Sequence, residues 1–200
     1  MITLDIEQGT QEWRAARCGI PTASNFDKII TTTGTPSKQA QKYMYQLAGE
    51  RIIGQSEETY QNSDMLRGTE IEGEARTLYE LMHDLEIKQV GICYKDEAKL
   101  FSCSPDGLAG DDGLVEFKCP KIATHVDYLL QNSIPSEYFQ QVQGQLYITG
   151  RKWCDFVSYY PGLKPVIVRV YRDEKFIKSL EAELFSFCKQ LDDITEKIRG

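Results

Sequence analysis

Ser104-Pro105-Asp106-Gly107-Leu108, followed ten residues after the aspartate by Glu116-Phe117-Lys118, is the stretch on which the reading of this chain turns. Residues two apart in a strand project to the same face. Glu116 and Lys118 therefore point together while Phe117 packs behind them, and Pro105 and Gly107 impose a bend that aims Asp106. Cys119-Pro120 ends the strand at a defined point. Two carboxylates and an ammonium converge. Asp106 and Glu116 are the oxygen donors that hard cations such as Mg²⁺ or Mn²⁺ take, with the Phe117 carbonyl as a further oxygen. Lys118 is placed to orient or help deprotonate an attacking water and to offset charge developing on a phosphate. That is the residue set phosphodiester hydrolysis uses. A surface hairpin closed by a salt bridge has the same spacing, so the pattern needs support from elsewhere.

Working outward, Asp111-Asp112-Gly113 is a turn expected to join strands Leu100–Ser104 and Leu114–Lys118 into a hairpin, with Val90–Tyr94 as a strand before them. Upstream, apolar residues recur at Ile71, Ala75, Leu78 and Met82, one face of an amphipathic helix over about 65–82. A further carboxylate is expected from it. Glu70 and Glu72 flank the apolar face at about 100° to either side of Ile71, and periodicity does not choose between them. Thr10 is expected to cap a short helix through Arg17, Thr22 a second through Ile30, and Ser37 a third to about Ile53. Residues 55–64 read as polar and turn-like. A helix over about 136–149 follows the hairpin, then strands Cys154–Tyr160 and Val166–Tyr171 around a Pro161-Gly162 turn. Asp173 caps a long acidic C-terminal helix. This order predicts an α/β fold, a mixed central sheet with helices on both faces, in one domain over residues 1–200.

Composition narrows the class. Two hundred residues, 41% of them apolar, suffice for one compact domain. No window approaches the ~18 apolar residues of a membrane span, and the first residues lack the layout of a secretory signal. The six cysteines include no C-x-x-C pair, which argues against zinc or iron–sulfur ligation and for reduced thiols in the cytoplasm. A net charge of −7 makes nonspecific coating of duplex DNA improbable. Charge can nevertheless be segregated, with Arg17, Lys38, Lys42, Arg67, Lys118 and Lys121 lining a basic cleft. His83 and His125 have no convergent partners for a triad, and Trp13 and Trp153 read as core or subunit-contact residues.

Five blocks in register carry a family resemblance. They are Trp13-x-x-x-Arg17-x-Gly19-Ile20-x-Thr22-Ala23-Ser24, Gly68-Thr69-Glu70-Ile71-Glu72-Gly73-Glu74-Ala75-Arg76-Thr77-Leu78, Ser104-Pro105-Asp106-Gly107-Leu108, Glu116-Phe117-Lys118-Cys119-Pro120 and Gln141-Val142-Gln143. Over almost its whole length the chain resembles the phage lambda-type alkaline exonucleases, or YqaJ-like viral recombinases, of the PD-(D/E)xK nuclease superfamily. Gln143-x-x-x-Tyr147 is also similar to a helix motif of RecB-like nucleases. The resemblance implies a restriction-endonuclease-like fold and selects Glu72 as the helix carboxylate. It implies that Asp106 and Glu116 hold the metal and that Lys118 is the catalytic lysine. Arg17, Ser24, Ser104 and Gln141 match positions that hold a 5′-terminal phosphate, and Gln143 lies close by. A guanidinium fork with hydroxyl donors suits a phosphate monoester. Pro21 departs from the family motif, which usually carries another residue there.

The resemblance further implies a Mg²⁺-dependent 5′-3′ exodeoxyribonuclease on duplex DNA ends, a ring-shaped homotrimer, and a single-strand annealing recombination protein as partner. The rivals are an endonuclease or flap nuclease on the same fold, a DNA-end-binding scaffold without catalysis, and an iron–sulfur nuclease, which needs clustered cysteines.

Overall fold

The computed structural model describes residues 1–56 and 63–200, and of 63–70 the backbone alone. In chain order the elements are β1 (Ile2–Leu4), α1 (Gln11–Arg17), α2 (Ala40–Ile53), α3 (Ser63–His83), β2 (Ile87–Lys88), β3 (Ile92–Tyr94), β4 (Ser102–Cys103), β5 (Gly107–Ala109), β6 (Gly113–Lys118), α4 (Ile122–Gln131), α5 (Phe139–Thr149), β7 (Trp153–Ser158), β8 (Val166–Tyr171) and α6 (Glu174–Arg199). Short 3₁₀ segments cover Ala23–Lys28 and Ser136–Tyr138. The turn-like reading of 55–64 falls mostly on 57–62, outside the described residues.

Helix starts follow local chemistry, with two corrections. The Trp13 amide donates to Thr10 Oγ1 at 3.2 Å, and the Phe176 amide to Asp173 Oδ1 at 2.9 Å, so α1 and α6 carry the expected caps. Ser37 is displaced from its expected role. α2 begins behind Gln39, whose amide donates to Ser37 Oγ at 3.3 Å. Thr22 precedes a 3₁₀ segment rather than an α-helix reaching Ile30, and its hydroxyl makes no cap. That hydroxyl is taken up by Arg17, Ser24 and Asn25 instead.

The strands divide into two sheets. β1, β3 and β4 form a small antiparallel one, while β2-β5-β6-β7-β8 form a mixed sheet in which β6 and β7 are parallel. This corrects the expected hairpin. The Leu100–Ser104 segment pairs with β3, Cys93 opposite Cys103, and Asp111-Asp112-Gly113 joins β5 to β6, Leu108 opposite Leu114. Pro105 has no N–H to continue a ladder, so Ser104-Pro105-Asp106 carries the chain from one sheet to the other. Parallel strands need a crossover, and α4 and α5 supply it between β6 and β7. Pro21, the departure from the family motif, is buried, and its carbonyl accepts from the Ser102 amide at 3.0 Å.

Alternation along β6 sends its side chains to two cores. Leu114 joins Val142 and Leu146 of α5 and Leu180 and Leu184 of α6. Val115 and Phe117 join Ala75 and Tyr79 of α3. Tyr79 fixes α3 further by donating its hydroxyl to the buried Asp155 at 2.6 Å. Arg169 completes that carboxylate from the other side with two bonds of 2.8 Å. The sheet thus carries α3 on one face and α5 with α6 on the other.

Two close approaches need glycine. A Cβ on Gly144 would lie 2.5 Å from the Phe26 ring, so this glycine lets α5 touch the 3₁₀ segment that carries Ser24. A Cβ on Gly91 would lie 2.0 Å from the backbone oxygen of Ile6, which cannot rotate away. Gly91→Ala is therefore expected to destabilise the protein by about 1–3 kcal/mol, read as a lower denaturant midpoint with an unchanged slope.

Candidate active site

Glu116 lies at the centre, 2% exposed on β6. Its Oε1 accepts from Lys118 Nζ at 2.6 Å and from Gln141 Nε2 at 2.5 Å, and its Oε2 accepts from Gln145 Nε2 at 2.6 Å. Strand alternation brings Lys118 to it, and the four-residue step along α5 brings both glutamines. Asp106, in the link between β4 and β5, accepts from the Phe117 amide at 2.6 Å and is thereby locked to the strand that carries Glu116. Glu72 faces the same centre from α3, where Arg76 Nη2 donates to it at 2.6 Å. The side chain of Glu70 lies outside the described residues.

The electrostatics show how closely these groups are packed. Burial, then the Glu116 and Glu72 carboxylates, push the Asp106 carboxyl well above its ordinary range, against Lys118 and the Phe117 amide. Burial raises Glu72 as well. Arg76 opposes that shift and Glu116 adds to it. For Lys118 burial acts to lower the ammonium, but Glu116 and Asp106 overcome it and hold it above its usual value. Three acids thus repel one another around one lysine. Among the described residues no three carboxylate, imidazole or thiolate groups already form a cage for an ion. The fit to a metal is one of donor chemistry: oxygen ligands and uncompensated negative charge, which suit a hard divalent cation. The described structure gives Lys118 one more neighbour, the ring of Tyr138, with Nζ 5.0 Å from its centroid.

A second cluster stands beside the first, joined through Ser104, two residues before Asp106. The Arg17 guanidinium lies 3.9 Å above the Trp13 ring, and its Nη2 donates to Thr22 Oγ1 at 3.3 Å and Ser24 Oγ at 3.5 Å. Trp13 Nε1 donates to Ser104 Oγ and to the Gly91 carbonyl, each at 3.0 Å. Trp13 is therefore a scaffold of this cluster rather than a core residue. The Trp13-x-x-x-Arg17 spacing, one helical turn, carried that signal.

The expected residues thus separate. Glu72, Asp106, Glu116, Lys118 and Gln141 meet at one centre, and Arg17, Ser24 and Ser104 meet at the other. Gln143 belongs to neither. Its Nε2 donates to the Tyr171 carbonyl at 2.9 Å and its Oε1 accepts from the Asp173 amide at 2.8 Å, so it braces the end of β8 against the start of α6. The hydroxyl of Tyr147 is likewise engaged elsewhere, donating to Glu181 at 2.7 Å. Lys38 lines a separate groove between α2 and α6 with Tyr45 and Gln190. Sequence reasoning missed Gln145, Arg76 and Tyr138.

A mixed sheet flanked by helices, with two acids and a lysine aimed together from β6 and the link before β5, defines a nuclease of the PD-(D/E)xK type. The profile of the YqaJ-like viral recombinase domain matches residues 12–152. The chain belongs to that family. Among solved structures it is similar to the alkaline exonuclease LHK-Exo of Laribacter hongkongensis, at 36% identity and TM-score 0.86 over 95% of this chain and 96% of that one. LHK-Exo in complex with dAMP matches equally well. A phage-related exonuclease from Haemophilus somnus 129PT, 16% identical, shares the fold at TM-score 0.71 over 90% of this chain and 96% of that one. No curated protein sequence matches at a significant level. A nuclease of this family is expected to use a divalent metal. Among the described residues no helix is long and apolar enough to cross a membrane.

Proposed function

We propose that the chain is a Mg²⁺-dependent exodeoxyribonuclease, one domain over residues 1–200. It digests one strand of linear duplex DNA from a 5′-phosphorylated end to mononucleotides and leaves a 3′ single strand for annealing recombination. The observation that carries this reading is the packing of Asp106 and Glu72 around Glu116, with Lys118 2.6 Å from Glu116. Asp106, Glu116, Glu72 and the Phe117 carbonyl would hold the cation, for which Mn²⁺ substitutes. When bound, such a cation polarises a phosphoryl oxygen and stabilises attacking and leaving oxygens. Lys118 orients the attacking water and offsets charge on the phosphate. The complex of LHK-Exo with dAMP supports mononucleotide release, since a nucleoside monophosphate is the product class it requires.

Arg17, Ser24 and Ser104 form the pocket for the terminal 5′-phosphate, to which Gln141, bonded to Glu116 in this structure, is added on the family resemblance alone. Stacking on Trp13 holds the guanidinium in place, and its fork of N–H donors matches the oxygens of a terminal phosphate. Arg17→Ala is expected to lower kcat/KM on 5′-phosphorylated ends by about 1.5–3 kcal/mol, roughly tenfold to a hundredfold. Rates on 5′-hydroxyl ends should stay unchanged, so the preference disappears. An equal fall on both kinds of end would remove the pocket from the account. The same reading includes a homotrimer around the DNA, a single-strand annealing recombination protein as partner, and action in the cytoplasm of a bacterial or phage-infected cell. An endonuclease or flap nuclease of the same fold remains the rival, and it would cut DNA that has no ends.

A further inference from the structure

The proposed chemistry leaves Gln145 without a role. It lies one turn after Gln141 on α5, is 1% exposed, and donates Nε2 to Glu116 Oε2 at 2.6 Å. Gln141 and Lys118 both serve the other oxygen, Oε1. The two glutamines thus grip the carboxylate by its two oxygens and fix its plane. Gln145 does this at a cost, because its own Oε1 is buried and finds no partner among the described residues. An unsatisfied buried acceptor is unfavourable. An apolar side chain of similar length would fill the same space in α5 without it. If filling buried space were the only demand at this position, a carboxamide would be a poor solution. What the carboxamide supplies is a second N–H donor on a carboxylate that is almost wholly out of water.

We infer that Gln145 is a positioning residue for the divalent cation, acting through Glu116. It holds Oε2 so that the carboxylate keeps the single orientation in which it would serve a bound ion. Carboxylates that ligate metals are themselves hydrogen-bonded, and loss of such a partner weakens metal binding by roughly tenfold to a hundredfold. The Gln145 side chain bonds Glu116, and no described bond links it to Arg17, Ser24 or Ser104, so its effect is expected to fall on metal affinity and to spare end recognition. The inference rests on the metal-dependent reading of the site.

The test is a Mg²⁺ titration of the parent enzyme and of Gln145→Met, whose side chain is unbranched, of similar length and without an N–H. Two curves are recorded: the nuclease rate on linear duplex, and the rise in Tm of DNA-free protein. Both midpoints are expected to move to Mg²⁺ concentrations roughly tenfold higher. The rate at saturating Mg²⁺ and the preference for 5′-phosphorylated ends should match the parent. Gln145→Ala, with the same expected direction, serves if the methionine variant does not fold. A role in packing alone would lower the Tm of the metal-free protein and leave both midpoints in place. That result, beside a Mg²⁺-dependent parent, overturns the inference by itself. A parent indifferent to Mg²⁺ in both curves sinks the metal reading and this inference together.

Discussion

Asp106→Asn is expected to abolish cleavage while leaving the protein at least as stable as the parent. The amide keeps an oxygen that can accept from the Phe117 N–H, now 2.6 Å from Asp106, so the link between β4 and β5 keeps its path. What is lost is a charge. On the proposed reading Asp106 is a ligand of the cation, and removing one such charge forfeits several kcal/mol of transition-state stabilisation, about 4 kcal/mol being a thousandfold in rate. The effect on stability has the opposite sign. Burial and the Glu116 and Glu72 carboxylates push the Asp106 carboxyl up in the folded state. A carboxyl so raised costs stability once the pH exceeds its unfolded value, and a neutral amide carries no such cost. The metal-free Tm should therefore hold or rise. Nuclease assays and thermal unfolding of the same preparation check both signs. A variant that keeps Mg²⁺-dependent cleavage would remove Asp106 from the site.

Lys118→Met should fail in a different way, losing both rate and stability. Lys118 is the only cation bonded to Glu116 among the described residues, at 2.6 Å, and Glu116 is 2% exposed. Breaking a buried pair leaves the remaining charge uncompensated, at about 3 kcal/mol. Gln141 and Gln145 moderate that cost but carry no charge. In metal-free buffer the Tm should fall, and added Mg²⁺ should restore much of it, because the cation replaces the ammonium as counter-charge. Activity should not return with it. The donor proposed to orient the water is gone, and a loss of about a hundredfold or more is expected at saturating Mg²⁺. Recovery of Tm and rate together would mean that Lys118 serves only as the partner of Glu116.

The parts of the site that are legible in the sequence are those set by near neighbours in the chain. Period-two alternation placed Glu116 and Lys118 on one face of β6, and Pro105 and Gly107 marked the bend that aims Asp106. Both readings depend on neighbours in the chain. Periodicity could not choose between Glu70 and Glu72, because both flank Ile71 equally. Gln145 was missed because its partner lies 29 residues away across a crossover. Trp13 reads as a core or subunit-contact residue because an indole gives no sequence sign that its N–H will meet Ser104. Gln143 was drawn toward the site by its motif, yet its carboxamide is spent on Tyr171 and Asp173.

The fold shows the same division. β6 to β8 with their runs of apolar residues, α6 behind its Asp173 cap, and the presence of α3 are readable from local pattern. The buried face of α3 is not: Met82, placed on it by periodicity, is 54% exposed, and Tyr79 is buried beside Ala75 instead. β2, β4 and β5 are two or three residues long, too short for any alternation to register. Their pairing, and with it the split into two sheets, is decided by tertiary contacts. Between Cys119 and Ser136 the sequence pattern gives no decisive sign of α4. Its apolar residues Ile122, Val126 and Leu130 recur at four-residue steps, yet in the fold they are 52%, 39% and 82% exposed.

The central claim is that this site hydrolyses DNA from a 5′ end. It is tested most directly by one digestion in Mg²⁺ of two substrates: a linear duplex labelled on one strand at its phosphorylated 5′ terminus, and a covalently closed circular duplex. The account predicts immediate release of the label as a mononucleotide, with the circle left intact. Cutting of the circle, or label retained on a long strand while the 3′ end is consumed, would contradict it.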